Sequence, residues 1–176
     1  METGHRSNIS VEEVECYGQA RMLWERMEAE RLLRWFCRTG PPKLDKWIKK
    51  MSNGTRVFYL QRDCAPLIVV QLESIRPRRA EIHFVTFRAK DLDKPRAGRM
   101  MLLYLMNKLN IEVLYGFIPS SNFKAMQYGK EVGFKVTGYL PQGSFSHADG
   151  QSECSVFVNL LRSDAHERQM QVDSKR

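Results

Sequence analysis

Near residue 56 the apolar side chains of this chain change period, and that change decides which folds are open to it. Before it, Val14, Tyr17, Leu23, Met27, Leu32, Leu33 and Phe36 recur at mostly helical spacing, with Glu28, Glu30 and Arg31 between them. Ser10 and Glu13 have the spacing of a capping box, so one long helix or two abutting ones are predicted from there. The breaker Thr39-Gly40-Pro41-Pro42 ends them. A further helix is predicted over 44–51, with Asn53-Gly54 as its stop. After the switch, 56–61, 66–75 and 80–88 are rich in β-branched and aromatic residues and joined by short turns, which predicts three strands in a meander. A helix over 97–109, a strand over 112–119, a helix over 122–132 and strands over 134–140 and 153–161 complete the order, with a Gly/Ser/His loop at 141–152. Antiparallel strands followed by a β-α-β crossover imply a mixed α/β sheet with helices on both faces.

With 176 residues, 43% of them apolar, the chain is sized for one core. A single domain over 1–161 is expected, followed by a polar, flexible tail over 162–176. No run approaches the ~18 apolar residues of a spanning helix, and METGHRSNIS lacks the apolar centre of a signal peptide. A cytoplasmic protein without membrane contact is therefore expected. Cys16, Cys37, Cys64 and Cys154 lie far apart, which argues against a zinc site or a disulfide framework. The formal charge of +8 points to an anionic partner: a nucleotide-like cofactor, nucleic acid or an acidic protein. No nucleic-acid-binding motif accompanies the basic residues Arg21, Arg26, Arg31, Arg34, Arg38, Arg76, Arg78 and Arg79.

The most informative stretch runs from Ala80 to Phe134. A strand, a loop of small and basic residues and a helix N-terminus together have the make-up of an anion site, with Lys94, Arg96, Gly98 and Arg99 around the helix start. Glu81 and His83 lie two apart on the strand and so share a face, where either has the chemistry to take a proton from an amine. Ser144, Ser146, His147 and Asp149 offer triad-type side chains in one loop without a nucleophile elbow, so a hydrolase is not expected.

AEIHF, a loop, AGRMMLLYLM, EVLYGFIP and NFKAMQYGKEVGF, in that order, resemble the core of the GNAT superfamily of N-acetyltransferases. The resemblance covers roughly 56–140, and its strongest element is Asn122-x-x-Ala125 followed by Gly133-Phe134. It implies a GNAT-like mixed, mostly antiparallel sheet flanked by helices on both faces, and acetyl transfer from acetyl-CoA to an amine. By the same resemblance Glu81 falls on the general base of the histone-acetyltransferase branch. Val85, Thr86 and Phe87 fall where the family's backbone holds the acetyl group and pantetheine arm, and Asn122 would help fix that arm. The family's cofactor signature is a Gln or Arg, two variable residues and Gly-x-Gly or Gly-x-Ala. It maps onto Lys94, Ala97 and Arg99, with Arg96 and Gly98 beside them, so two glycines are replaced. The tyrosine that protonates the departing thiolate in many members falls at Gly129, and Tyr128 precedes it. A helix rotates about 100° per residue, so Tyr128 should point away from the thiolate and pack. The chain also looks similar to degenerate GNAT-like proteins of bacteriophages. That likeness implies the alternative: a silent structural or interaction protein in an assembly, virion-associated.

Overall fold

The computed structural model describes residues 8–33, 43–90, 92–145 and 150–173. In chain order the elements are β1 (Ile9–Glu13), α1 (Tyr17–Ala29), α2 (Leu44–Ser52), β2 (Arg56–Arg62), β3 (Ala65–Arg76) and β4 (Arg79–Thr86). Then come α3 (Lys94–Lys108), β5 (Val113–Pro119), α4 (Phe123–Val132), β6 (Lys135–Phe145), β7 (Ser152–Leu161) and α5 (Arg162–Asp173). The seven strands form one sheet in the order β1-β2-β3-β4-β5-β7-β6. Every pairing is antiparallel except β4 with β5, which the α3 crossover makes parallel.

The unbroken apolar runs of β2 and β3 follow from burial on both faces. Phe58, Leu60, Val70, Leu72, Ala80 and Ile82 join one core with α3, α4 and α5. Val57, Tyr59, Val69, Val85 and Phe87 face the other way and pack on Leu23, Trp24, Met27 and Trp47 of α1 and α2. Asp63 and Cys64 both have positive φ, at 51° and 65°, giving the tight two-residue turn between β2 and β3.

Three expectations need correction. The Ser10–Glu13 segment is the edge strand β1, paired with β2 from Ile9↔Arg62 to Glu13↔Phe58. Arg56 donates twice to Glu13, at 2.7 Å, and Gln61 Nε2 donates to Ser10 Oγ, so the cross-strand partners use the groups the capping box would have needed. The helix begins later: Gln19 Oε1 accepts the amides of Glu15 and Cys16, at 2.8 and 3.3 Å, and α1 ends at Ala29. The breaker at 39–42 lies outside the described residues. Second, β6 runs on to Phe145, into the predicted loop; Ser144 is buried against Ser155 there, while Ser146, His147 and Asp149 lie outside the described residues. Third, Arg162–Asp173, within the expected loose tail, form α5. Its anchors are one buried alanine, Ala165, the Lys135–Asp164 ion pair at 2.8 Å and a bond from Arg168 to the Lys130 carbonyl. Polar anchors of that kind leave no apolar stripe to read.

Candidate functional site

The sheet comes apart where β4 meets β5. The two strands are paired only at Arg79↔Val113, Ala80↔Leu114 and Glu81↔Tyr115; beyond these rungs they diverge. Close approach at the last rung needs Gly116, because a Cβ there would lie 2.9 Å from the Ile82 carbonyl oxygen. The divergence frees one set of peptide groups. The Phe87 amide donates to the Leu67 carbonyl at 2.9 Å, so the directly opposed pairs of β3 and β4 that exchange hydrogen bonds include Val69 with Val85 and Gln71 with His83. Peptide groups of Phe84 and Thr86 point the other way, towards the departed β5. They open on a cleft lined by His83, Phe84, Gly116, Ile118, Asn122 and Gly129. A connected groove of about 250 Å³ continues past Thr86, Asn122, Lys124, Ala125 and Tyr128 to Leu32. Thr86 and Asn122 thus come together as predicted positions, whereas Phe87 does not: its side chain is fully buried and its amide is spent on β3. Val85 also turns its peptide towards β3, so it lines the groove without offering it a donor.

Asn122 caps α4, its Oδ1 accepting the Ala125 amide at 3.1 Å, which leaves its Nδ2 for a ligand. Gly133 ends that helix at φ 126° and delivers Phe134 into the core, stacked on Phe84. The turn that carries Asn122 is clamped by Glu153, which accepts the Ser121 amide at 2.9 Å and the hydroxyls of Ser120 and Ser121.

On the α1/α2 side of β4, His83 Nε2 lies 3.4 Å from Glu81 Oε1 and 3.8 Å from Glu73 Oε2. The His83 side chain is 11% exposed and lines the cleft. Glu73 is held from behind: Lys50 Nζ donates to it at 2.8 Å and Gln71 Nε2 at 2.6 Å. Trp47 Nε1 in turn donates to Gln71 Oε1 at 2.6 Å. Sequence reasoning missed Gln71 and Glu73. Their signal was there: two polar residues, two apart, that interrupt the end of the apolar run over 66–72.

The start of α3 departs from an anion cradle. Asp93 is its N-cap, and its Oδ1 accepts the Arg96 amide at 3.0 Å. Pro95 has no amide to offer. Two of the first three amides of the helix are thus closed to a phosphate, and a carboxylate sits at the opening. Gly98 is buried and faces Tyr128, whose hydroxyl occupies the space a Cβ would need and donates to the Lys94 carbonyl at 3.1 Å. The Gly98 assignment to a cofactor is thereby corrected: this glycine makes room for a tyrosine. Burial raises the Tyr128 phenol pKa well above its ordinary value, and nearby Arg99 opposes that only in part. Arg99 itself swings aside, donating to the Glu131 carbonyl at 2.9 Å, and leaves the groove open. Lys94 and Arg96 remain at the helix start as side-chain cations. Acetyl-CoA therefore fits in part: the slot and its free peptide groups suit the arm, and the helix start does not suit the diphosphate.

Neither a protein-family model nor a curated protein matches the sequence. Solved structures do. The chain is similar to a spermidine N-acetyltransferase from Vibrio cholerae crystallised with CoA and spermine, with TM-score 0.72 and 18% identity over 89% of this chain and 97% of that one. It is also similar to a putative acetyltransferase from Salmonella typhimurium crystallised with acetyl-CoA, with TM-score 0.65 and 14% identity over 88% and 94% of the two chains. The mixed, mostly antiparallel seven-stranded sheet with its flanking helices is the GNAT acetyltransferase fold.

Proposed function

We propose that the chain transfers an acetyl group from a pantetheine thioester, as in acetyl-CoA, to an amine. The observation that carries the reading is the divergence of β4 from β5, which leaves the Phe84 and Thr86 peptide groups facing a slot with His83 on its wall. When bound, the thioester supplies an activated acyl carbon. The free strand edge pairs with the amides of the arm as a neighbouring strand would, and Asn122 Nδ2 adds a donor. An amide of this edge is also the donor for the oxygen that gains charge as the amine attacks. His83 reaches the cleft and Glu81 reaches His83, which makes His83 the proton acceptor and Glu81 its positioning partner. The leaving sulfur takes its proton from solvent or from the amine itself, because Gly129 has no side chain and the Tyr128 hydroxyl is bonded to Lys94.

Support also comes from the two neighbours, whose structures hold CoA with spermine and acetyl-CoA. The test is thiol release from acetyl-CoA and S-acetyl-phosphopantetheine across a panel of primary amines and polyamines. Release that depends on the amine, and that His83→Gln lowers by roughly 10²–10⁴-fold without changing the fold, is expected. No release with any amine would leave the alternative, a protein that keeps the fold without the catalysis, virion-associated or otherwise.

A further inference from the structure

The cleft between β4 and β5 has two unlike walls. Towards α1 and α2 stands the His83 imidazole, with Glu81 beside it. Towards α3 and α4 the wall is apolar: Ile82, Phe84, Ile118, Phe134 and Val158, with Gly129 of α4 among them. Among the described residues of the lining, His83 and Asn122 carry the only polar side chains. One end of the cleft is closed by the last paired rung, Glu81↔Tyr115. At the other it shares Phe84, Asn122 and Ala125 with the groove assigned to the arm, so the acyl end of a seated thioester lies in the cleft. The volume there is about 70 Å³, room for roughly five atoms the size of a water oxygen. An acetyl group brings two carbons and an oxygen and leaves part of that space empty. Gly129 is what keeps it open. A Cβ there would lie 3.6 Å from Ile118 Cδ1 and 3.9 Å from Phe134 Cβ, both on the lining, so a side chain at 129 would stand in the cleft. These are ordinary contact distances, and the φ of Gly129 is not positive, so neither packing nor backbone conformation demands a glycine inside this helix.

We infer that the apolar side of the cleft is an acyl-chain pocket, which takes a straight chain of about four carbons and whose length is set by Gly129 facing Ile118. The inference rests on the acyl-transfer reading above and names the group transferred. Acetyl enters the same pocket and underfills it. The amine has to meet His83 on the other wall, which leaves the apolar side to the donor's chain. A butyryl group brings four carbons and an oxygen, and its two extra methylenes leave water for contact with Ile82, Phe134 and Val158. The step balances without a further reactant. The amine nitrogen bonds to the acyl carbon, the carbon–sulfur bond breaks, the nitrogen gives its proton to His83, and the thiolate is protonated from solvent.

The experiment compares kcat/KM for acetyl-, propionyl-, butyryl- and hexanoyl-CoA with one amine, and the Kd of the unreactive thioethers S-ethyl-CoA and S-butyl-CoA by calorimetry. Each buried methylene is worth about fourfold, so butyryl-CoA should exceed acetyl-CoA by about tenfold, S-butyl-CoA should bind about tenfold tighter than S-ethyl-CoA, and hexanoyl-CoA should fall below butyryl-CoA. Gly129→Ala should lower the butyryl-to-acetyl ratio, and the ratio of the two affinities, by about tenfold. Its urea midpoint should not fall, because alanine improves the helix and its methyl meets no close contact. Ile118→Val removes the Cδ1 that faces Gly129 and should shift the ratios the other way, towards the longer chain. Acetyl-CoA equal to or better than butyryl-CoA, or ratios that neither variant moves, would overturn the inference and leave acyl transfer standing. Turnover with no donor and no amine would sink the acyl-transfer reading and this inference with it, whatever the thioethers bind.

Discussion

Gly98 and Tyr128 should behave as one unit when stability is measured. A methyl group at Gly98 would clash with the Tyr128 hydroxyl, and its next neighbours would be Val132 Cγ2 at 3.1 Å and Tyr128 Cζ at 3.2 Å. Replacing a helical glycine with alanine gains about 1 kcal/mol of propensity, whereas overpacking costs about 1–3 kcal/mol. The overlap with the hydroxyl puts the cost in the upper part of that range, about 2–3 kcal/mol, so Gly98→Ala alone should destabilise by roughly 1–2 kcal/mol. Tyr128→Phe removes the 3.1 Å bond to the Lys94 carbonyl. That carbonyl lies in a helix and is also the acceptor for the amide one turn on, so the loss is about 1 kcal/mol and not the larger cost of an orphaned group. Additivity would put the double variant roughly 2–3 kcal/mol below the parent. Removing the hydroxyl, however, opens the space the new methyl needs. The double variant should then match Tyr128→Phe alone, a coupling of about 1 kcal/mol or more. Urea unfolding of the four proteins, with m-values unchanged, measures it. Additivity within about 0.5 kcal/mol would refute the packing of Tyr128 on Gly98.

The pH dependence of stability tests the same tyrosine. Its folded pKa is raised by burial, so the unfolded chain ionises first. Stability from this group is complete below the ordinary phenol pKa of about 10 and falls above it, by up to about 1.4 kcal/mol per pH unit, a slope that Tyr128→Phe should lack in alkaline urea titrations. Trp47→Phe withdraws the 2.6 Å donor from buried Gln71, for a loss of about 1–3 kcal/mol in unfolding. It should also lower kcat through Glu73 and His83, and a variant that loses stability but keeps full turnover would detach this chain of bonds from the site. Gly116→Ala drives a methyl against the Ile82 carbonyl and should cost about 1–3 kcal/mol while raising the KM of the acyl donor, read from calorimetry and steady-state rates; an unchanged KM would show that the cleft does not hold the arm.

Where burial was two-sided or a stop was covalent, the elements were legible. The runs of β2 and β3 read as strands because both faces are covered, and the Asn122-to-Gly133 helix announces its cap and its end. Ser10–Glu13 misled because four residues satisfy two patterns at once. The capping box is local, whereas the strand draws on Arg56 and Gln61, more than forty residues away. Tertiary partners settled the choice. The same holds for α5, whose partners on other elements are the Lys135 ammonium and the Lys130 carbonyl.

The site shows the limit more sharply, because β4 divides its work by parity. Its odd residues, Glu81 and His83, turn side chains towards α1 and α2 while their peptide groups bond to β3. Its even residues, Phe84 and Thr86, give the cleft peptide groups that β5 has abandoned. Alternation along AEIHFVTF reveals that two sets exist, and it put Glu81 with His83 correctly. It does not reveal where a neighbouring strand leaves, so it could not say which of Val85, Thr86 and Phe87 would keep a free amide. The bond from Phe87 to Leu67 decides that, and Leu67 lies on a different strand. At the helix start the signature compares side chains, but a phosphate is held by amides. Asp93 and Pro95 determine which of these are free, and neither falls on a signature position. The arm and the diphosphate are therefore separate questions, each decided by which peptide groups are left free.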